Sequence, residues 1–405
     1  MKRHILIQYI GLGGALLLLA FQCFAHVTLT YSAQVPRPMV PSRAIGAPVF
    51  SRPLHLAPQL HVWRNVLEDN MNQPVRLVGA NRSGSEYACL GWSIFDGPSD
   101  QASINAMLSW RINAIRIPLN EDCWLNINMH GSPYGGAVYQ QAIERYVQLL
   151  IGDDITPILD LHWTAPGSQQ ATSQQAMPDR DHSLTFWWQV AEAFKWNNAI
   201  IFDLFNEPFP DSDRDTLTAW NCWRDGTNAN TCPFGTGGLT YNTAGMQELV
   251  NTVRGTGARN VIILGGIQYA STLDHWMTFA PNDPAHELAV SWHLYNFSHC
   301  NQLSCWSAEG LPVMRVYPVV TGEIGENSTG GNFVLSLMDF LDHPASNLPP
   351  QNYLAWAWNT DQTVFDLITS YSGAPTIPYG VEYQQHLLGE AKQAADRRRP
   401  PAGHA

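Results

Sequence analysis

The chain has 405 residues and a net charge of −12; it is 45% hydrophobic but only 14% charged, where an average domain is roughly 25% charged. That length holds one large domain or two ordinary ones, with enough apolar residues for a sizeable core. The acidic balance excludes the basic footprint of a nucleic-acid binder and disfavours anionic lipid surfaces, so no nucleic-acid partner is expected.

The chain opens Met1-Lys2-Arg3-His4, runs apolar from about Ile5 to Phe24, and reaches small residues at Ala25. A positive start, an apolar middle and a small-residue cut site describe a secretory signal over 1–25. An uncleaved membrane anchor is the alternative. No later stretch reaches the ~18 apolar residues that span a bilayer, so no stable membrane association is expected after cleavage. Residues 26–60 carry Pro36, Pro38, Pro41, Pro48, Pro53 and Pro58 without strand or helix periodicity. They read as an extended, poorly ordered linker. A folded domain is expected over 61–395, followed by a solvated tail over 396–405 with Arg397, Arg398 and Arg399.

From Val75 onward, short apolar runs alternate with amphipathic segments. The runs are Val75–Asn81, Ala114–Asn120, Thr156–Trp163, Ile200–Glu207, Val261–Gly266, Leu288–Tyr295, Val319–Ile324 and Tyr353–Asn359. Helix candidates lie between them, such as Asn332–Leu341 and Ala137–Ile151, the latter with Val138, Ile143, Val147 and Leu150 on one face. Strand and helix alternating in this way predict an α/β fold with right-handed crossovers. The number of units suits closure into a (β/α)8 TIM barrel.

Seven cysteines are present, and removal of Cys23 with the signal leaves an even number. In an exported protein that argues for disulfides. The pairing expected is Cys89–Cys123, Cys222–Cys232 and Cys300–Cys305, with buried free thiols as the alternative. Long βα loops pinned by such bridges would wall a cleft. The 15 Trp and 14 Tyr suit a neutral ligand with apolar faces, such as the C–H faces of a sugar ring. Core filling accounts for about half of them on the plainer view.

The run ends bring Asn81, Arg116, His162, Asn206 with Glu207, His293 with Tyr295, Glu323 and Trp358 toward one barrel mouth. Singly, each has a structural explanation; jointly they describe a pocket. Two carboxyl groups are what glycosidic cleavage commonly needs, one to protonate the leaving oxygen and one to attack carbon or activate water. Arg116 and Tyr295 are natural donors to hold Glu323 ionised as nucleophile. Glu207 would be the acid, then the base, and Asn206 would reach the sugar 2-hydroxyl. Asp203 reads as a buried hydrogen-bonding group and Glu326 as a loop residue. No phosphate loop, nucleophile elbow or zinc motif appears, so neither a metal nor another cofactor is expected.

Ile115-Arg116-Ile117-Pro118, Leu161-His162-Trp163, Asn206-Glu207-Pro208, His293-Leu294-Tyr295, Thr321-Gly322-Glu323 and Ala355-Trp356-Ala357-Trp358 together resemble glycoside hydrolase family 5, the large cellulase family of (β/α)8 barrels. The resemblance covers about Arg64 to Lys392. It implies retaining double displacement with Glu207 as acid/base and Glu323 as nucleophile, and Trp358 as the floor under the cleaved sugar. It also implies a polysaccharide or oligosaccharide substrate, most readily a β-1,4-glucan cut internally. A β-mannanase, or a β-glucosidase acting on glycolipids, is the alternative within the fold. An inactive carbohydrate-binding barrel and a wall-anchored structural protein are the alternatives outside it. A monomer, secreted or periplasmic, completes the expectation.

Overall fold

A computed structural model of the chain describes residues 56–227, 232, 239–328, 331–361 and 363–397, with side chains described up to 392. The expected signal, nearly all of the expected linker and most of the expected tail lie outside the described residues.

Three short strands come first, β1 (Leu60–Trp63), β2 (Val66–Asp69) and β3 (Pro74–Val75), paired antiparallel. The next eight, β4 (Val78–Asn81), β5 (Ala114–Asn120), β6 (Thr156–Trp163), β7 (Ile201–Asp203), β8 (Ile262–Gly265), β9 (Leu288–Tyr295), β10 (Val319–Gly325) and β11 (Asn352–Ala355), close into a parallel barrel. Their order around the barrel follows the sequence, as right-handed βαβ crossovers require. All eight expected runs are therefore strands. The fourth and eighth stop early: β7 ends four residues before Glu207, and β11 ends at Ala355.

Helices cover the outside. Ala137–Gly152 buries Tyr139, Ile143, Tyr146, Val147 and Leu150. Val138, expected on that face, is half exposed, because two tyrosines fill the stripe instead. Helix Asn332–Asp342 lies close to its expected position, and Glu326, far from being a free loop group, is buried and accepts the N–H groups of Phe333 and Val334 at its head. The three expected disulfides are present.

The interior explains why the site is where it is. Leu77, Ala114, Ile158, Ile201, Ile263, Ala289, Val320 and Leu354 fill the lower barrel, and Leu60 and Leu67 of the antiparallel ribbon plug its N-terminal end. Side chains alternate along a strand, so two residues further on the same inward face returns. There the chain places Arg116, Asp160, Asp203 and Ser291, and another two steps bring His162 and His293. β8 and β11 apart, the strands thus change from apolar to polar as they rise toward the mouth. β10 would break the pattern, since Glu323 is three residues after Val320. A register irregularity lies between these two positions, shifting the phase so that Glu323 faces inward. Gly322 sits in that irregularity. A Cβ there would stand 2.8 Å from His293 Nε2 and 2.9 Å from Ser291 Oγ, so only glycine fits without movement.

Candidate active site

Arg116 is the hub. It is fully buried, and its guanidinium donates to Asp203 Oδ2 at 2.9 Å, Asn81 Oδ1 at 3.0 Å, Glu323 Oε1 at 2.8 Å and Asn206 Oδ1 at 2.9 Å. Asp160 pairs with it ionically at 3.0 Å. Burial alone would push the guanidinium down, but the three surrounding carboxylates outweigh it and the group stays charged. A buried cation is tolerated only with such partners.

Glu323 receives Arg116 on one oxygen and the Tyr295 hydroxyl on the other at 2.6 Å. Burial, then the adjacent Glu323 charge, push the Tyr295 phenol well above its ordinary range, so it remains a donor. Glu207 lies across the cavity. One oxygen from Glu207, one from Glu323 and a ring nitrogen of His293 all lie within 4.8 Å of one another. His293 Nδ1 is 3.1 Å from Glu207 Oε1. Burial pushes Glu207 upward, opposed by His162, by a hydrogen bond from Gln174 and by Arg116. Burial also lowers His293 to about 3 and His162 to about 4, so both imidazoles are neutral near pH 7. His162 Nδ1 is 2.6 Å from Asp160 Oδ2, and its ring stacks on Trp356 at 5.2 Å and 9°.

A cavity of about 510 Å³ opens here, lined by His162, Gln174, Asn206, Glu207, Tyr295, Glu323 and Trp356 among others. One wall is built from loops. Phe209 stacks on Tyr269 at 4.5 Å, and Gln268 Nε2 donates to the Asp213 carbonyl at 3.0 Å. Asp211–Asp213 and Gln268–Ala270 all have positive φ, between 53° and 61°. Non-glycine residues in that region carry backbone strain, which tends to collect at functional clefts.

Measured against the sequence, Glu207, Glu323, Asn206, His162 and Tyr295 reach the cavity. Arg116, Asn81 and His293 converge on the same point but are fully buried behind it. The sequence placed all three at the barrel mouth as part of a substrate pocket, with Arg116 also as a donor to Glu323. Instead Asn81 holds Arg116 and donates to the Gly322 carbonyl at 2.8 Å. Trp358 is a correction. It is completely buried, edge-on to Trp110 at 5.0 Å, and the tryptophan that lines the cavity is Trp356. Strand alternation would put both on one side, but β11 has ended at Ala355; beyond it the Trp358 backbone N–H is drawn to the Asn81 carbonyl at 2.8 Å.

Sequence reading passed over Asp160, Gln174 and Trp356. Asp160 was within reach of the alternation rule, two residues before His162. Gln174 sits in an irregular loop and had no signal. The conformation of residues 356–358, with a cis peptide between Trp356 and Ala357, follows no strand or helix pattern.

The family model for cellulase (glycosyl hydrolase family 5) matches residues 69–362. A manganese dependent endoglucanase, Eg5A of Phanerodontia chrysosporium, is 24% identical over 204 residues; the match spans 48% of this chain and 45% of that one. The chain thus aligns with less than half of that relative's length. Among solved structures, the β-glucanase SdGluc5_26A of Saccharophagus degradans superposes with a TM-score of 0.61 at 16% identity, covering 86% of this chain and 98% of that one. XacCel5A in complex with cellopentaose gives 0.55 at 18% identity, over 77% and 99%. The endoglucanase Cel5A catalytic domain of Thermobifida fusca gives 0.55 at 14%, over 82% and 97%. At such identities the superpositions establish a shared fold. The match of the family model over most of the chain goes further: this protein belongs to the cellulase family, glycosyl hydrolase family 5.

Proposed function

We propose that the protein is an exported, retaining endo-β-1,4-glucanase that works by double displacement. The observation that carries this reading is the pair of carboxyl oxygens, Glu207 and Glu323, within 4.8 Å of each other in unlike surroundings. Retaining enzymes hold the two groups roughly 5–5.5 Å apart, whereas inverting ones leave room for a water between.

Glu323, anchored by Arg116 and Tyr295, attacks the anomeric carbon. Glu207, which burial keeps protonated further up the pH scale, gives its proton to the leaving oxygen. With the aglycone gone, the Glu207 carboxylate takes a proton from water, and that water opens the glycosyl ester on Glu323. Asn206 Nδ2 faces the sugar 2-hydroxyl, and Trp356 supports the ring. Neutral His293 holds Glu207 in place without competing for its proton.

The substrate is a β-linked glucan or oligosaccharide. The open, aromatic cleft and the endoglucanase names of the relatives support internal cleavage over a glycolipid or mannan preference. Three disulfides and the signal-like first segment support export, and the enzyme acts as a monomer free of the membrane. The folded domain runs over 61–395.

The manganese in the name of the fungal relative raises a metal alternative. Glu207, His293 and Glu323 are the residues that could ligate a cation here. They do not suit one: the Arg116 guanidinium, 2.8 Å from Glu323, already supplies the positive charge and would repel a divalent ion. Activity unchanged by a chelator is expected; loss on chelation and recovery with manganese would contradict this.

Glu323→Gln and Glu207→Gln should each lower hydrolysis of cellopentaose by several orders of magnitude while the fold persists. Near wild-type turnover in both variants would end the proposal. The product anomer, read by NMR, should be β at early times.

A further inference from the structure

Asp213, Gln268, Tyr269 and His299 line the cavity, and none of them stands on a barrel strand. Asp213 lies in the segment after Glu207, Gln268 and Tyr269 just beyond β8, and His299 just beyond β9. These segments are tied together. The Tyr269 N–H donates at 3.1 Å to the carbonyl of Pro208, the residue next to Glu207, and the Tyr269 ring stacks on Phe209. His299 precedes Cys300, which is buried and bridged to Cys305. The wall is therefore fixed beside the proposed acid.

The direction of each hydrogen bond in this wall is forced. The Asp213 carbonyl can only accept, so the Gln268 atom 3.0 Å from it is the amide nitrogen. The Gln268 oxygen is then the atom that accepts the Thr272 hydroxyl at 2.7 Å. The amide nitrogen also stands 3.1 Å from His299 Nε2. An amide N–H only donates, so that imidazole nitrogen accepts with its lone pair and carries no proton. The same nitrogen lies 3.3 Å from Asp213 Oδ2, and with no proton it gives that oxygen nothing. Asp213 Oδ1 is buried and meets no donor among the described residues. The side chain is 33% exposed, and that exposure lies elsewhere than on Oδ1. A carboxylate at the cavity wall thus has no protein donor on either oxygen.

We propose that the Asp213 carboxylate is the acceptor for hydroxyl groups of the leaving sugar, and so a specificity-determining residue for the aglycone side of the cleft. The inference rests on the acid role proposed for Glu207, since that role makes the neighbouring wall the leaving-group side. A sugar bound against Asp213 displaces water from it. The sugar's hydroxyls then have to serve the carboxylate in place of that water, because an unpaired buried acceptor is costly. A leaving group with hydroxyls there is favoured over one without, as much by the penalty on the wrong group as by attraction for the right one. Gln268 keeps this acceptor free, because it occupies the one His299 nitrogen that could otherwise have served it.

The test compares two substrates. Cellopentaose places a sugar on the leaving side, whereas 2,4-dinitrophenyl β-cellobioside places there an aryl ring with no hydroxyl. Asp213→Gly removes the carboxylate and suits the backbone, since φ at this position is 61°. Its kcat/KM on cellopentaose should fall about tenfold to a hundredfold, while that on the aryl cellobioside should stay within about twofold of wild type. Asp213→Asn tolerates the same φ and keeps one acceptor oxygen, so its loss on cellopentaose should be smaller, about threefold to tenfold. Activity retained on the aryl cellobioside also shows that each variant is folded. Equal losses on the two substrates, or no loss on cellopentaose, would overturn the proposal. Wild-type protein inactive on both substrates would instead bring down the proposed function, and this inference with it.

Discussion

The two sides of the cleft are built on different terms. One side, Arg116, Asp160, Asp203, His293 and Glu323, stands on barrel strands and is almost wholly buried, its three carboxylates held at 2.8–3.0 Å around one guanidinium. The other side, Gln174, Asp213, Gln268, Tyr269 and Trp356, stands on loops, is partly exposed, and is held by stacking, amide contacts and left-handed turns. The rigid side holds Glu323, the proposed nucleophile, whose attack needs a fixed distance. The loop side lines the cavity beside Glu207, the proposed acid, where shape and substrate choice are set.

The sharpest way to break this division is Arg116→Ala. It strands Asp160, Asp203 and Glu323 without their shared cation, which should cost about 3–5 kcal/mol of stability. Turnover should fall at least a hundredfold to a thousandfold. Denaturant unfolding and steady-state kinetics measure the two. Stability equal to wild type would mean that the guanidinium is not what holds the strand side together.

The next comparison sets two tryptophans against each other. Trp356→Ala removes the cavity floor and should lower kcat/KM roughly tenfold or more with little change in stability. Trp358→Ala empties a core position beside Trp110 and should cost about 3–5 kcal/mol, with the folded protein turning over near normally. If Trp358→Ala instead abolished activity in a stable protein, the assignment of the floor to Trp356 would be wrong.

The smallest effect concerns Glu86, in the loop after β4. It is buried, accepts the Gly84 N–H at 2.7 Å, and is pushed up to about 8, chiefly by burial and against its backbone hydrogen bonds. Its folded pKa exceeds the unfolded value of about 4.3. Its contribution to stability is therefore complete below that value and is lost as pH rises through about 8. Glu86→Gln should bring no gain at pH 4 and an increasing gain in Tm toward pH 8. Parallel Tm curves would show that the carboxyl does not carry a charging penalty.

Much of the strand side was legible without coordinates. Period-2 alternation in buried parallel strands places Arg116, His162 and His293 on the inner face, and the Asn206-Glu207-Pro208 motif marks the fourth strand's loop, although that strand already ends at Asp203. The loop side was not legible, because its residues obey no period. Gln174 was invisible for that reason. Trp358 was expected from its place at the end of the last run and from the family resemblance; alternation puts Trp356 and Trp358 on one side and cannot choose between them, and the strand has already stopped at Ala355. Glu323 is the intermediate case: its identity as the second acid was readable, yet its inward direction depends on the register irregularity before it.

Local chemistry along the chain was enough to specify the barrel, its apolar-to-polar gradient and the two glutamates, since these follow from patterns within each strand. Which groups line the cavity and which stand behind them, which tryptophan reaches it, and which loop amide meets Asn206 all depend on contacts between segments far apart in sequence. Such contacts are set by packing and hydrogen-bond partners at close range, and neither leaves a regular trace in the order of residues.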